Sequence, residues 1–164
     1  MKLIKFFIVS ALFLVFSIAF AESKPAKASF ALKDMAGKNH TLAQYSGKWV
    51  VVNYWATWCP PCLEEVPDLV ALYDSRKAKD VMVIGVVFDY ESTAEVNEYI
   101  DDMLMSYPIV LGDDDVSKQI GTADVLPTTF IYNPRGELVK TKRGLVTKQE
   151  LEDYMLAASK RAKK

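Results

Sequence analysis

Seven consecutive residues, Trp49-Val50-Val51-Val52-Asn53-Tyr54-Trp55, are nearly all β-branched or aromatic. Such a run reads as a strand covered on both faces, which demands a layered α/β architecture around it. It leads almost directly into Trp58-Cys59-Pro60-Pro61-Cys62, which holds the only two cysteines of the chain. A helical pattern follows at once. Leu63, Val66, Leu69, Val70 and Tyr73 recur at spacings of three and four, predicting a helix from Pro60 to about Arg76. The cysteines therefore lie between a buried strand and the first turn of a helix.

The remaining pattern completes the class. Phe30 to Leu42 reads as a hairpin turning at Gly37-Lys38-Asn39, and Val81 to Phe88 as a second buried strand. Thr93 to Leu104 is helical, with Val96, Tyr99, Ile100, Met103 and Leu104 on one face. Ser92 or Thr93 serves as its cap, with Glu95 in the first turn. Pro108 to Leu111 is a short strand, and Asp113 to Ile120 a short helix ended by Gly121. Thr128 to Tyr132 and Glu137 to Arg143 are strands joined at Asn133-Pro134-Arg135-Gly136. Thr147, with Glu150 three residues on, opens a closing helix that runs to about Lys160. The order βαβαβαββα after an N-terminal hairpin predicts an α/β fold with a central mixed sheet flanked by helices.

The first residues bear on location. Lys2 and Lys5 precede an apolar run from Phe6 to Phe20, broken only by Ser10 and Ser17, and Ala19-Phe20-Ala21 offers a small-residue cleavage site. This predicts a secretory signal peptide over residues 1–21 and a mature start at Glu22. The alternative is an uncleaved inner-membrane anchor over residues 6–20, although a spanning helix needs about 20 apolar residues. No cysteine stands beside the cleavage site, so a lipid anchor is not expected. Residues 22–28 read as a flexible lead-in and 29–164 as one domain. Lys and Arg total 20 against 21 Asp and Glu, a balance that points to no nucleic-acid partner. Lys160-Arg161-Ala162-Lys163-Lys164 reads as a solvated helix end.

A disulfide between Cys59 and Cys62 would close so short a loop that it removes little chain entropy. As a staple it would contribute almost nothing; as a dithiol–disulfide switch it makes sense. The unpaired N–H groups of a helix N-terminus favour thiolate over thiol. Cys59 is thus the expected nucleophile, forming a mixed disulfide with a substrate, and Cys62, three residues on, resolves it. Proline suits a first helical turn, yet Pro60 and Pro61 remove two donors that would steady the thiolate. The first N–H inside the motif is that of Cys62, and an N–H at position 60 would make the pair more oxidising. Beyond the disulfide itself, no cofactor and no metal site is expected.

The segment Val51 to Cys62, together with Val125-Leu126-Pro127-Thr128-Thr129-Phe130, resembles periplasmic and membrane-associated thioredoxin-like proteins of the TlpA/ResA type. The resemblance covers residues 29 to 158. It implies a thioredoxin-like fold with an extra N-terminal hairpin and, over about Glu91 to Gly112, the insertion typical of that branch. It also implies a cis Leu126–Pro127 bond facing the cysteines and a Leu126 backbone that pairs with a substrate strand. The substrate face would then comprise Trp58, Pro60, Pro61, Leu126, Pro127 and Thr128. Glu65 matches a family glutamate near the cysteines and could take a proton from Cys62; the competing reading is an ordinary first-turn carboxylate. Pro67 should kink the helix. Asn53 stands where cytosolic thioredoxins carry an aspartate and cannot titrate, so a proton relay would use Glu65 or water.

By that resemblance the function is an exported thiol-disulfide oxidoreductase acting on protein substrates with cysteine pairs. Its direction would be reductive, for example on apocytochrome c or metal-site cysteines, with electrons from a membrane thiol donor. Two alternatives remain. A thiol peroxidase needs a threonine three residues before its cysteine, where Ala56 stands. A copper-binding chaperone of this fold uses a wider cysteine spacing and a downstream histidine, and no histidine follows His40. His40 itself is expected to be a surface or hairpin residue. Asp113-Asp114-Asp115 reads as a helix-start cluster rather than a calcium loop. Glu64 should be solvated, Trp55 core, and Trp58 a lining of an exposed cysteine face.

Overall fold

The computed structural model describes residues 28–161; the expected signal peptide, most of the expected lead-in and the last three residues of the chain lie outside them. A five-stranded sheet forms the centre, in the order β5-β4-β3-β6-β7. Its middle strand β3 (Trp49–Trp55) is buried at every position. β4 (Val81–Val87), buried throughout as well, pairs with it in parallel, and β6 (Thr128–Tyr132) in antiparallel register. The edges are β5 (Ile109–Leu111), parallel to β4, and β7 (Leu138–Arg143), antiparallel to β6. Thus the most apolar run is also the most enclosed.

Period-two alternation sends the two faces of β3 into separate cores. Trp49, Val51 and Trp55 pack with α1 (Pro60–Arg76), α2 (Thr93–Asp102) and α4 (Lys148–Arg161). Val50, Val52 and Tyr54 pack with α3 (Asp114–Ile120) and the hairpin of β1 (Ala31–Lys33) and β2 (Asn39–Thr41). α1 runs on through Pro67 to Arg76. Ser92 caps α2, its side chain accepting from the Glu95 N–H, and Asp113 caps α3 by accepting from the Val116 N–H. The Asp113–Asp115 cluster is therefore a helix start.

Two expectations are corrected. Leu104, expected on the buried face of α2, is 78 % exposed. The helix ends at Asp102, and Leu104 adopts a φ of +52°, which turns it out of the helical stripe. His40, expected to be a surface or hairpin residue, lies in the hairpin, and it is fully buried there rather than at the surface. Its Nε2 lies 2.7 Å from Asp34 Oδ2, and its Nδ1 meets the Tyr45 hydroxyl. With both ring nitrogens partnered, burial leaves no polar group unsatisfied. An isolated bridge from Asp34 to Val110 and a Met35 N–H to Ile109 carbonyl bond dock this hairpin on β5. Among the described residues no helix is long and apolar enough to cross a membrane.

Candidate active site

Cys59 is the N-cap residue of α1, four residues after β3 ends at Trp55, and is joined to Cys62 by a disulfide with Cα atoms 5.3 Å apart. Its carbonyl accepts from the Cys62 N–H at 3.0 Å and from the Leu63 N–H at 3.2 Å. So the donor singled out in the sequence, the Cys62 N–H, is already engaged by backbone. Pro60 and Pro61 are exposed on the first turn. Trp58 is 60 % exposed, and its Nε1 donates to the Asp89 carbonyl at 3.1 Å. That bond ties the cysteine loop to the turn after β4, where Asp89 takes a φ of +51°. The cysteine face itself is not open: Cys59 is 3 % exposed and Cys62 fully buried.

Sheet register brings up the second motif. Tyr54 pairs with Thr128, which sets Leu126 and Pro127 beside the end of β3 that feeds the cysteines. Leu126 packs against the same cluster as Cys59 and Cys62. The Leu126–Pro127 bond is cis. Thr128 Oγ1 donates to the Val125 carbonyl at 2.7 Å, and the Pro127 carbonyl accepts from the Gly144 N–H at 2.8 Å. Among the described residues no backbone partner engages Leu126.

Glu65 stands one turn beyond Cys62 and, like it, is fully buried. One carboxylate oxygen accepts from Asn53 Nδ2 at 2.6 Å; the other accepts from the Val146 N–H at 2.8 Å. Asn53 also donates to Thr129 Oγ1 at 3.1 Å. Burial raises the carboxyl to a pKa of about 7, against the pull of the two N–H donors, which favour the charged form. An ordinary first-turn carboxylate would be solvated, so this position is not ordinary. Glu64, by contrast, is exposed as expected. Tyr107 lies close by, its hydroxyl pushed up by burial and then by the Glu65 charge.

Trp55 is core, and its Nε1 is buried without a hydrogen-bond partner among the described residues. It packs over Gly85, where a Cβ would lie 3.2 Å from that nitrogen, 3.0 Å from the Tyr107 ring and 2.7 Å from Ile109. Thr129, Val146, Tyr107 and Gly85 were not found from the sequence. Only Gly85 left a trace, as a lone glycine inside a valine-rich strand. Val146 contributes its backbone, which no side-chain pattern reveals.

A family model described as the AhpC/TSA family matches residues 24–141. The chain belongs to this family. Within it, the chain is 35 % identical over 127 residues to the thiol-disulfide oxidoreductase ResA of Bacillus subtilis (strain 168), covering 77 % of this chain and 70 % of the relative. It is 34 % identical over 150 residues to the ResA of Halalkalibacterium halodurans, covering 85 % and 82 %. Among solved structures, StoA from Bacillus subtilis matches with a TM-score of 0.67 at 27 % identity, over 78 % of this chain and 96 % of that one. A thiol:disulfide interchange protein of the thioredoxin family from Chlorobium tepidum matches with a TM-score of 0.74 at 26 % identity, over 84 % and 99 %. The fold is thioredoxin-like, and this family member is a thiol-disulfide oxidoreductase. Ala56, buried ahead of Cys59, has no hydroxyl to offer a peroxide. His40 is held in the hairpin by Asp34 and Tyr45, so it does not supply the extra ligand of a copper chaperone.

Proposed function

We propose that the protein is exported and works as a reductant of cysteine pairs in partner proteins. Residues 1–21 serve as its signal peptide. Cys59 thiolate attacks one sulfur of the partner disulfide, and the partner's second sulfur leaves as a thiolate. Cys62 then attacks Cys59 in the mixed disulfide, releasing the partner reduced by two electrons and leaving Cys59–Cys62 oxidised. Glu65 accepts the Cys62 proton, and a membrane thiol donor reduces the pair again. Trp58, Pro60, Pro61 and Leu126 form the surface that holds the partner strand, with Pro127 and Thr128 buried behind it. Apocytochrome c and metal-site cysteines are the substrate classes to try first.

The observation that carries the direction is the engaged backbone of the first turn. Two prolines supply no N–H, and the Cys62 and Leu63 N–H groups turn to the Cys59 carbonyl. A Cys59 thiolate therefore gains little from the helix start, so the reduced state is stabilised less and the pair is the more reducing. Equilibration with defined thiol buffers tests this. A potential near that of thioredoxin, about −270 mV, is expected; one near −120 mV overturns the reading. Cys62→Ser should accumulate a mixed disulfide through Cys59, and Cys59→Ser should lose insulin reduction altogether. Tight copper binding without turnover would speak for a chaperone instead.

A further inference from the structure

The whole chain carries a formal net charge of only −1, yet exposed carboxylates gather in the loops and first helical turn beside the cysteines, with Arg143 the cation that ends β7 there. Asp89 supplies the carbonyl that holds the Trp58 indole, and Glu91 follows two residues on in the same loop before α2. Glu64 follows Pro60 by four residues in α1 and shares its helical stripe. Asp124 immediately precedes Val125 and Leu126 in the loop before β6. All four carboxylates are exposed, and among the described residues no ion pair engages Glu64, Asp89 or Glu91. Asp124 meets Arg143 only at 3.8 Å, with both side chains largely in solvent. At the opposite end Lys48 Nζ donates to the Lys77 carbonyl, and there the carboxylates are paired, Asp74 with Lys77 and Asp80 with Arg76.

Inside this acidic rim the surface is apolar. Trp58 is 60 % and Val125 49 % exposed, with Pro60 and Pro61 between the cysteine loop and solvent. Large exposed apolar side chains beside a reactive disulfide mark a docking surface. Like charges around its edge repel one another until a partner neutralises them, and they attract or reject partners by sign before contact.

We infer that this surface receives an extended, cysteine-bearing segment of a partner protein in which lysine or arginine flanks the cysteine. The inference rests on the reading above, that the pair reduces protein cysteines, and it assigns the partner's charge. Partner cations fall against Glu64, Asp89, Glu91 and Asp124 while the cysteine approaches over Trp58 and Val125. An acidic segment meets repulsion from Glu64, Asp89 and Glu91, which no cation offsets among the described residues.

The test uses the mature protein, fully reduced, and three peptides that each hold one internal disulfide. They differ only in the residues flanking the reactive cysteine: neutral, lysine or glutamate. Stopped-flow tryptophan fluorescence gives the second-order rate constant for each. At low ionic strength the lysine peptide should react at least about tenfold faster than the glutamate peptide, the lower end of electrostatic steering. That ratio should fall towards one in about 0.5 M salt, where the screening length is only a few ångströms. It should also shrink in the E64Q/D89N/E91Q variant. Equal low-salt rates for the lysine and glutamate peptides overturn the inference and leave the reductase reading standing. No reaction with any peptide, the neutral one included, overturns both.

Discussion

Glu65 is pulled in two directions. Burial opposes its charge, while the Asn53 amide and the Val146 N–H favour it, and burial wins, raising the carboxyl to about 7. Relative to the ordinary 4.5, the sign is set: the folded state binds the proton more tightly than the unfolded chain. The contribution of Glu65 to stability is therefore fully present below about pH 4.5 and is lost as pH rises through about 7, a change of roughly 3 kcal/mol. Glu65→Gln should remove that slope, seen by urea unfolding at about pH 4.5, 6 and 8. Its baseline should also drop, because the new NH2 group confronts one of the two N–H donors. In the reaction, the same variant should lose any rate dependence near neutral pH that Glu65 confers on release from the mixed disulfide. Asn53 was legible as a residue that cannot titrate. That it would orient Glu65 was not, because the bond spans strand and helix and the third member, Thr129, comes from β6.

Among the elements, the sequence is most legible where one force dominates. β3, β4 and α1 are specified by apolar run or period, and they stand where expected. The end of α2 was misplaced because Leu104 fits the helical period, but backbone geometry turns the chain there. The hairpin was found and its packing missed, since the partnering of His40 by Asp34 and Tyr45 depends on tertiary closure. Burial raises the Asp34 carboxyl, but the bonds from His40 and the Lys38 N–H outweigh it and hold the group below its ordinary range. His40→Leu should strip the Tyr45 hydroxyl of its imidazole partner and leave the Asp34 carboxylate with the Lys38 N–H but no cation, costing about 3 kcal/mol. Thermal unfolding should then shift down by about 10 °C. Insulin reduction measured well below that transition should persist, because the hairpin packs on the sheet face opposite α1. At the start of α1, N-cap side chains reach the N–H groups of the second and third helical residues, here Pro61 and Cys62. Pro61→Ala should therefore raise the reduction potential by about 30 mV, the equivalent of one hydrogen bond to a charged group. Pro60→Ala should move it less, because position 60 is the first helical residue, which shifts to position 61 the effect expected from the sequence at position 60; redox titration of the two variants compares them.

For the molecule as a whole, the layers divide the work. The C-terminal ends of β3 and β4 lead into the reactive loops, while the interior of both strands is closed to water. Export belongs at this scale as well. In a bacterial host with a secretion system, the soluble extracytoplasmic product should begin at Glu22, read by intact mass. An intact chain retained in the membrane fraction would instead mark residues 6–20 as an anchor. Fold class and element order were legible because each buried segment carries its own pattern. The site was legible at its two motifs and not between them, where the contacts join residues far apart in the chain. The near-complete burial of Cys59, at 3 % exposure, has a kinetic meaning. A sulfur so little wetted is insulated from small thiols that arrive by chance collision. It opens to a partner that strips water from the Trp58 surface first, so the turnover rate becomes a gauge of docking rather than of chemical reactivity.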